Sequence, residues 1–211
     1  NLLKANKTFG DHAVNGVVGI EYGEGFNRNM SAGGNGMPAG QTALSNAIPV
    51  SISGYNYRSR AWAWLAQAQY SYQGRYIASA SVRYDETSRF APKARGGYFP
   101  GVSAAWLIDK EDWFPRTPWL GMLKLKASIG SQGNDSIGDY RYVDTYVLSN
   151  NQDTPAISFG VKGNKDITWE TNTNFNAGID FDLLCGRISG SVEYFYRKTS
   201  DLLLWFSTPI S

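Results

Sequence analysis

The chain has very few of the residues that build disulfides and metal centres. It contains one cysteine, Cys185, and one histidine, His12, in 211 residues. A single cysteine excludes an internal disulfide and a multi-cysteine metal site. A single histidine argues against a histidine-rich zinc site. From the sequence we therefore predict no metal site and no cofactor.

Charge is also scarce and nearly balanced. Lys and Arg number 20, Asp and Glu number 18, and charged residues make up 18% of the chain, below the ~25% of ordinary soluble domains. Binding to nucleic acid depends on a dense basic patch. Here the clearest basic groupings are the short pairs Arg58/Arg60 and Lys93/Arg95. Nucleic acid is therefore excluded as the main partner.

Long apolar segments are missing as well. No run of ~18 apolar residues occurs, which excludes a transmembrane helix. No signal-peptide pattern stands at the start, and we expect the chain to be a segment of a longer protein. Instead, 23 glycines and an aromatic content of 14% favour a β-protein with many turns.

Alternation with a period of two residues is the main positive signal. In AWAWLAQAQYSYQGRYIASASVRYD, residues 61–85, even positions carry aromatics at both ends with mostly small apolar residues between them. The odd positions are mostly small and polar. The same alternation predicts seven long antiparallel strands, at residues 8–22, 61–72, 75–85, 98–108, 122–132, 174–184 and 187–198.

The predicted connections alternate in length. Long connections cover 23–58, 86–97 and 133–173, with a possible short helical turn at 43–48. Short turns lie at 73–75 and 185–186, and an intermediate connection lies at 109–121. A three-residue turn at Gly74 would pair Tyr70 with Tyr76, Ala66 with Ala80 and Trp62 with Tyr84. A Cys185-Gly186 turn would pair Leu183 with Ile188. Both keep the apolar positions on one face.

This layout predicts an all-β, up-and-down transmembrane barrel wall, incomplete in this chain. Trp62 and Tyr70 are ~26 Å apart along the strand at ~3.3 Å per residue. With a ~40° tilt this is ~20 Å of height, close to the ~25 Å apolar band of an outer-membrane barrel. The predicted lipid-facing aromatic girdle consists of Trp62, Trp64, Tyr70, Tyr76, Tyr84 and Trp106.

A soluble carbohydrate-binding β-sandwich is the alternative. The length of the strands, the alternating connections and the aromatics at strand ends argue against it.

Three stretches carry a family resemblance, in order, over roughly residues 55–206. These are RYDETSRFAPKARGGYFPGVSAAWLIDKEDWF, LKLKASIGSQGNDSIGDYRY and ITWETNTNFNAGIDFDLLCGRISGSVEYFYRKTSDLLL. They resemble the motifs of SusC/RagA-type TonB-dependent transporters of Bacteroidetes outer membranes. The resemblance implies a barrel of about 22 strands around an internal plug. Residues 1–211 would then belong to the barrel domain, with the plug outside this chain. It further implies import of glycan oligomers or peptides, driven by TonB, with a SusD-like surface lipoprotein as partner.

Candidate substrate contacts lie in the predicted outer loops: Tyr55, Tyr57, Arg89, Tyr140 and Tyr142. Aromatic rings there could stack on sugars, or could only pack the loops. For Arg89 and its neighbours a structural ion-pair turn is the stronger interpretation. The acidic group Asp109/Glu111/Asp112 lies on a predicted periplasmic turn, so we predict no catalytic residue and no enzyme. GNDSIG, residues 133–138, could suggest a calcium loop through Asn134, Asp135 and Asp139, but the spacing does not match an EF-hand. A turn in which Asn and Asp bond their own backbone is the stronger interpretation.

Overall fold

A computed structural model describes residues 1–115, 117–151 and 154–205. Within these residues the chain forms ten β-strands and three 3-10 helices at Leu44–Asn46, Pro92–Ala94 and Ile108–Lys110. No helix in this part of the chain is long and apolar enough to cross a bilayer. The strands are β1 Leu2–Phe9, β2 His12–Asn35, β3 Ile48–Tyr72, β4 Tyr76–Thr87, β5 Gly96–Leu107, β6 Leu120–Asn134, β7 Tyr146–Asn151, β8 Thr154–Phe159, β9 Glu170–Leu183 and β10 Ile188–Ser200.

Eight strands form one antiparallel sheet in the order β1-β2-β3-β4-β5-β6-β9-β10. The β7–β8 hairpin is inserted between β6 and β9 and forms a sheet of its own. At one end of the main sheet, the turn end, three connections are tight turns and residues 108–119 join β5 to β6; at the other end, the loop end, the connections are residues 36–47, 88–95 and 135–169. This is the up-and-down wall that the sequence predicts.

The sheet is open and does not close into a globule. Its accessible surface is 15490 Å², whereas a compact monomer of this mass would expose about 9,700 Å². The buried hydrophobic side chains of the described residues are few: Ala63, Phe90, Ala91 and Phe99. The soluble sandwich is therefore wrong as a fold, because its two sheets would bury a shared core.

The predicted strand at residues 8–22 lies mostly in β2, and its first residues close a hairpin with an additional strand, β1. β1 ends at Phe9, Gly10 turns with φ of +57°, and β2 begins at His12. The register pairs Phe9 with His12 and Leu3 with Val18. For this reason the main sheet contains eight strands where the alternation predicts seven.

Most of the predicted connection at 23–58 is also strand. β2 and β3 stay paired from His12–Tyr72 up to Asn35–Ile48, with one register shift at Gly33/Gly34. The true connection is residues 36–47, and it contains the short helical turn predicted at 43–48. β4 ends opposite Ala61. The part of β2 and β3 beyond this point, residues 24–35 and 48–60, is called the ribbon below.

The two tight turns behave differently from each other. Leu183 pairs with Ile188 as predicted. At the other turn Tyr72 pairs with Tyr76, so the predicted partners Tyr70 and Tyr76 are wrong by two positions, as are the two further pairs predicted there. Gln73 and Gly74 both have positive φ, 52° and 62°, and the Arg75 amide donates to the Tyr72 carbonyl at 3.0 Å. This turn is tighter than predicted.

Candidate functional site

The register gathers the apolar positions of all eight strands on one face, the apolar face. Even positions of β3, β4 and β5 oppose each other, and β5 even positions oppose β6 odd positions. β9 odd positions continue this face and are paired with β10 even positions. All six residues predicted as the aromatic girdle lie on it, namely Trp62, Trp64, Tyr70, Tyr76, Tyr84 and Trp106.

Aromatic rings on this face form a row at each end. At the loop end Tyr84 lies 5.3 Å from Trp62, 6.0 Å from Trp64 and 4.7 Å from Tyr98, measured between ring centroids. At the turn end Tyr76 lies 6.3 Å from both Tyr72 and Trp106. These separations are in the range of favourable aromatic pairs. Small apolar side chains lie between the rows: Ala66, Ala68, Ala78, Ala80, Val82, Val102 and Ala104.

The opposite face, the polar face, carries ion pairs and hydroxyl groups. Arg83 on β4 binds Glu21 on β2 at 2.7 Å and Asp85 at 2.8 Å. The Ser79 and Ser103 hydroxyls lie 2.7 Å apart. Charged groups held in this way need water or polar neighbours, so the two faces of the sheet suit different solvents.

A second ionic group on the polar face connects three strands. Lys126 on β6 binds Asp180 on β9 at 2.7 Å and also binds Glu193 on β10. Gly178 stands between Lys126 and Glu193 in the same row. A Cβ at this glycine would lie 2.8 Å from the Glu193 side chain. Because Gly178 on β9 has no side chain, a gap remains between β6 and β10. Lys126 on β6 reaches Glu193 on β10 through this gap.

At the turn end a buried carboxylate ties the connections together. Glu111 accepts hydrogen bonds from the Trp106 indole at 2.8 Å and from Arg75 at 3.0 Å. Hydrogen bonding from the Tyr76 hydroxyl, then from Trp106, with the Arg75 charge nearby, holds the pKa of Glu111 below its usual range. Asp109 accepts from the Leu123 amide at 3.0 Å. These acids hold the turn in place.

At the loop end the most buried residues surround an aromatic cluster. Phe90 is fully buried and meets Trp169 edge to face at 5.4 Å, and Phe99 meets the same indole at 5.4 Å. The Trp169 indole donates to the Arg95 carbonyl at 2.8 Å. The connections after β4 and before β9 are thereby packed on one another.

The predicted substrate-contact residues lie in three separate places. Arg89 pairs with Asp135 at 3.3 Å and Asp139 at 3.5 Å, and so joins two loops. Tyr55 and Tyr57 stack at 6.0 Å in the ribbon, on the polar-face parity of β3. Tyr140 and Tyr142 line a cavity of about 520 Å³ beside the ribbon, together with Arg58, Arg60 and Trp62. The Asn134 carboxamide accepts from the Ser136 amide at 3.0 Å, as predicted for the Asn of this turn, whereas the Asp135 carboxylate pairs with Arg89.

Three features have no counterpart among the sequence predictions. These are the ribbon, the β7–β8 hairpin and the aromatic cluster at Phe90. The even positions of β3 continue from Trp62 through Arg60 and Arg58 without interruption, so an upward extension of the alternation would have found the arginines. The cluster joins residues 90 and 169, and no local pattern indicates a contact across that separation.

Together, the two faces and the up-and-down strand order define a membrane-spanning β-barrel wall of the outer-membrane type. Comparisons with known proteins give the family. Residues 1–211 match the family model described as TonB dependent receptor-like, beta-barrel. The chain belongs to this family, and is therefore an outer-membrane β-barrel chain, as its resemblance to SusC/RagA-type proteins implies.

Individual relatives agree with the family model. The chain is similar to the TonB-dependent receptor SusC of Bacteroides thetaiotaomicron, with 31% identity over 212 residues that cover 97% of this chain and 21% of that protein. Among solved structures it is similar to the RagAB peptide transporter, with a TM-score of 0.89 and 24% identity over 99% of this chain and 24% of that one. The RagAB peptide importer in its open-open state gives a TM-score of 0.83 at 25% identity, over 99% of this chain and 23% of that one. The chain thus spans about a fifth of its curated relative and about a quarter of its structural neighbours.

Proposed function

We propose that this chain forms part of the barrel wall of a TonB-dependent nutrient importer. One observation carries the proposal: an eight-stranded sheet has an apolar face bounded by two aromatic rows and an ion-paired face behind it. In this proposal the apolar face contacts lipid, and the girdle aromatics lie at the two headgroup boundaries. The polar face lines the lumen. No residue is assigned a catalytic role.

The proposed substrates are glycan oligomers or peptides, with a SusD-like lipoprotein as partner and TonB as the source of energy. Resemblance to SusC/RagA-type proteins supports this, and one structural neighbour, RagAB, is a peptide transporter. TonB would act through a part of the protein outside this chain.

Tyr55 and Tyr57 are the substrate contacts that we propose on this wall. Their rings are stacked, Tyr55 is 58% exposed, and their parity places them on the lumen side. We expect the double substitution Tyr55→Ala/Tyr57→Ala to raise the Kd for the imported oligomer roughly 5- to 30-fold, as for loss of ~1–2 kcal/mol of aromatic contact. Binding would be measured by calorimetry on the full-length transporter. Tyr194→Ala, on the apolar face and 64% exposed, is the control. An equal effect from the control would remove the tyrosine pair from the proposal.

The β7–β8 hairpin is the proposed contact for the lipoprotein. It stands at the loop end and exposes paired apolar side chains, with Leu148 76% and Ile157 70% exposed. Exposed apolar groups of this kind favour a protein partner. We expect Leu148→Asp/Ile157→Asp to reduce co-purification of the lipoprotein, while Ser149→Asp, of the opposite parity, leaves it unchanged. Unaltered co-purification with the double variant would place the partner elsewhere.

A further inference from the structure

The even positions of the ribbon lie on the same side of the sheet as the apolar face, and they extend beyond the aromatic row at the loop end. Tyr22 pairs with Trp62 in that row, and the next outward pairs are Glu24 with Arg60, Phe26 with Arg58 and Arg28 with Asn56. No register shift occurs before Gly33/Gly34. The three arginines therefore rise above the row on the lipid side of the sheet.

Their height can be estimated from the strand. Arg58 lies four residues beyond Trp62, ~13 Å along the strand and ~10 Å higher at a tilt of ~40°. Aromatic rings of a barrel mark the boundary of the hydrocarbon. Residues a few ångströms to ~10 Å beyond that boundary lie among the headgroups. The position fits contact with the polar part of a membrane lipid.

The charges on this surface favour an anion. Arg58 and Arg60 share one carboxylate, Glu24, at 3.2 Å each, and both guanidinium side chains remain 57% exposed. Glu86, opposite Trp62, is the other acid of this face here. Arg28 adds a third cation, so the described side chains give a positive surplus on the ribbon's lipid side.

A cavity of about 520 Å³ lies beside Arg58 and Arg60, at the level of the aromatic row. It is lined by Arg58, Arg60, Trp62, Tyr140 and Tyr142, with Arg95 and the acids Glu86 and Asp139 also on its wall. Asp139 is already paired with Arg89. Guanidinium groups bind phosphate oxygens in a fork geometry, and tyrosine hydroxyls donate to the same oxygens. Aromatic rings would border the sugar or acyl part of such a lipid.

We propose that this surface binds the phosphate-bearing headgroup of a glycolipid in the outer leaflet, with Arg58 and Arg60 as the phosphate contacts. The occupant follows from two observations: the surface is continuous with the apolar face, and its charge is complementary to phosphate. The inference rests on the proposed lipid contact of that face. It does not depend on which nutrient is imported.

The test uses the full-length transporter, delipidated in neutral detergent, and the phosphorylated glycolipid lipid A as probe. Lipid A is titrated into the protein, and native mass spectrometry measures the number of lipid molecules bound at each concentration. We expect Arg58→Gln/Arg60→Gln to weaken lipid A binding about 30-fold, since each basic residue near an anionic surface is worth ~1 kcal/mol, or about fivefold. Arg58→Lys/Arg60→Lys retains the charge and should lose less. Arg197→Gln, on the polar face of β10 where Arg197 binds Asn174 at 2.7 Å, should bind as the wild type does.

Two further measurements show whether the site binds a lipid phosphate or free phosphate. Lipid A stripped of its phosphates should bind the wild-type protein about as weakly as intact lipid A binds the glutamine variant. Inorganic phosphate at matched concentration should not displace lipid A. Equal binding by wild type and glutamine variant, equal binding of the two lipids, or displacement by free phosphate would each overturn the proposal. Failure of the membrane assignment itself would be distinguishable, because Ala80→Arg in the apolar face would then leave the free energy of unfolding unchanged.

Discussion

The substitution Ala80→Arg tests which face of the sheet contacts lipid. Ala80 pairs with Ala68 on β3 and Val102 on β5, and it lies four residues from both Tyr76 and Tyr84. Each interval is ~13 Å along the strand, or ~10 Å of height at a ~40° tilt. Ala80 is thus midway between the aromatic rows. An arginine at the bilayer midplane costs ~2–4 kcal/mol on the lipid face of a barrel, so Ala80→Arg should lower the folding equilibrium constant ~30- to ~900-fold.

The matched control is Ser81→Arg on the next residue of the same strand. Ser81 lies on the polar face, is exposed, and makes a hydrogen bond of 3.5 Å to the Gly101 carbonyl. We expect its free energy of unfolding to change by less than ~0.5 kcal/mol. The assay is urea-dependent unfolding of the full-length protein in phospholipid vesicles. If Ser81→Arg costs as much as Ala80→Arg, or if Ala80→Arg costs nothing, the assignment of the faces is refuted.

Three further predictions concern the two ends of the sheet. Phe90→Ala should lower the free energy of unfolding by ~3–5 kcal/mol because it empties a fully buried site. Phe195→Ala, 74% exposed, should change it little in the same denaturant titration, and equal losses would contradict the packing role. Since the folded-state pKa of Glu111 is lowered from 4.5, its contribution is fully present above that pH and is lost as pH falls through the folded pKa. The stability difference between wild type and Glu111→Gln should therefore shrink below pH 4.5 in thermal melts, and a pH-independent difference would contradict this. Gly74→Val should lower stability by ~1–2 kcal/mol because φ is +62°, with Gly74→Asn costing less, and equal Tm values for the two variants would contradict it.

The faces of the sheet could be predicted from sequence because side-chain parity is a local property. If the pairing of two strands shifted by one residue, every side chain of one strand would move to the opposite face of the sheet. The alternation of apolar and polar residues therefore determines which residues lie on each face. A slip of two residues leaves both faces unchanged. This is why pairing Tyr70 with Tyr76 satisfied the pattern, although Tyr72 is the true partner. The register depends on turn geometry at Gln73 and Gly74, which the pattern does not contain.

The loop end was less predictable because its order comes from contacts between distant residues. The end of the ribbon farthest from the aromatic row is rich in Ser, Gly and Asn. Its two strands form because the backbones of β2 and β3 pair with each other. Arg89 contacts Asp135 and Asp139 on a separate loop, which the pairing of β5 with β6 brings beside its own. The motif containing Arg89 is identifiable from its resemblance to a family, whereas the partners of Arg89 follow only from the fold.

The gap at Gly178 has a mechanical consequence for the last strand of the sheet. Among the described strands, β10 pairs its backbone with β9, and Lys126 reaches past β9 to Glu193 and Ser191. Detaching β10 therefore requires breaking an ionic tie to β6 as well as its own ladder. An ion pair that is partly exposed to solvent adds at most ~1 kcal/mol to stability. The Lys126–Glu193 pair therefore couples β10 to β6 weakly, in addition to the backbone pairing of β10 with β9.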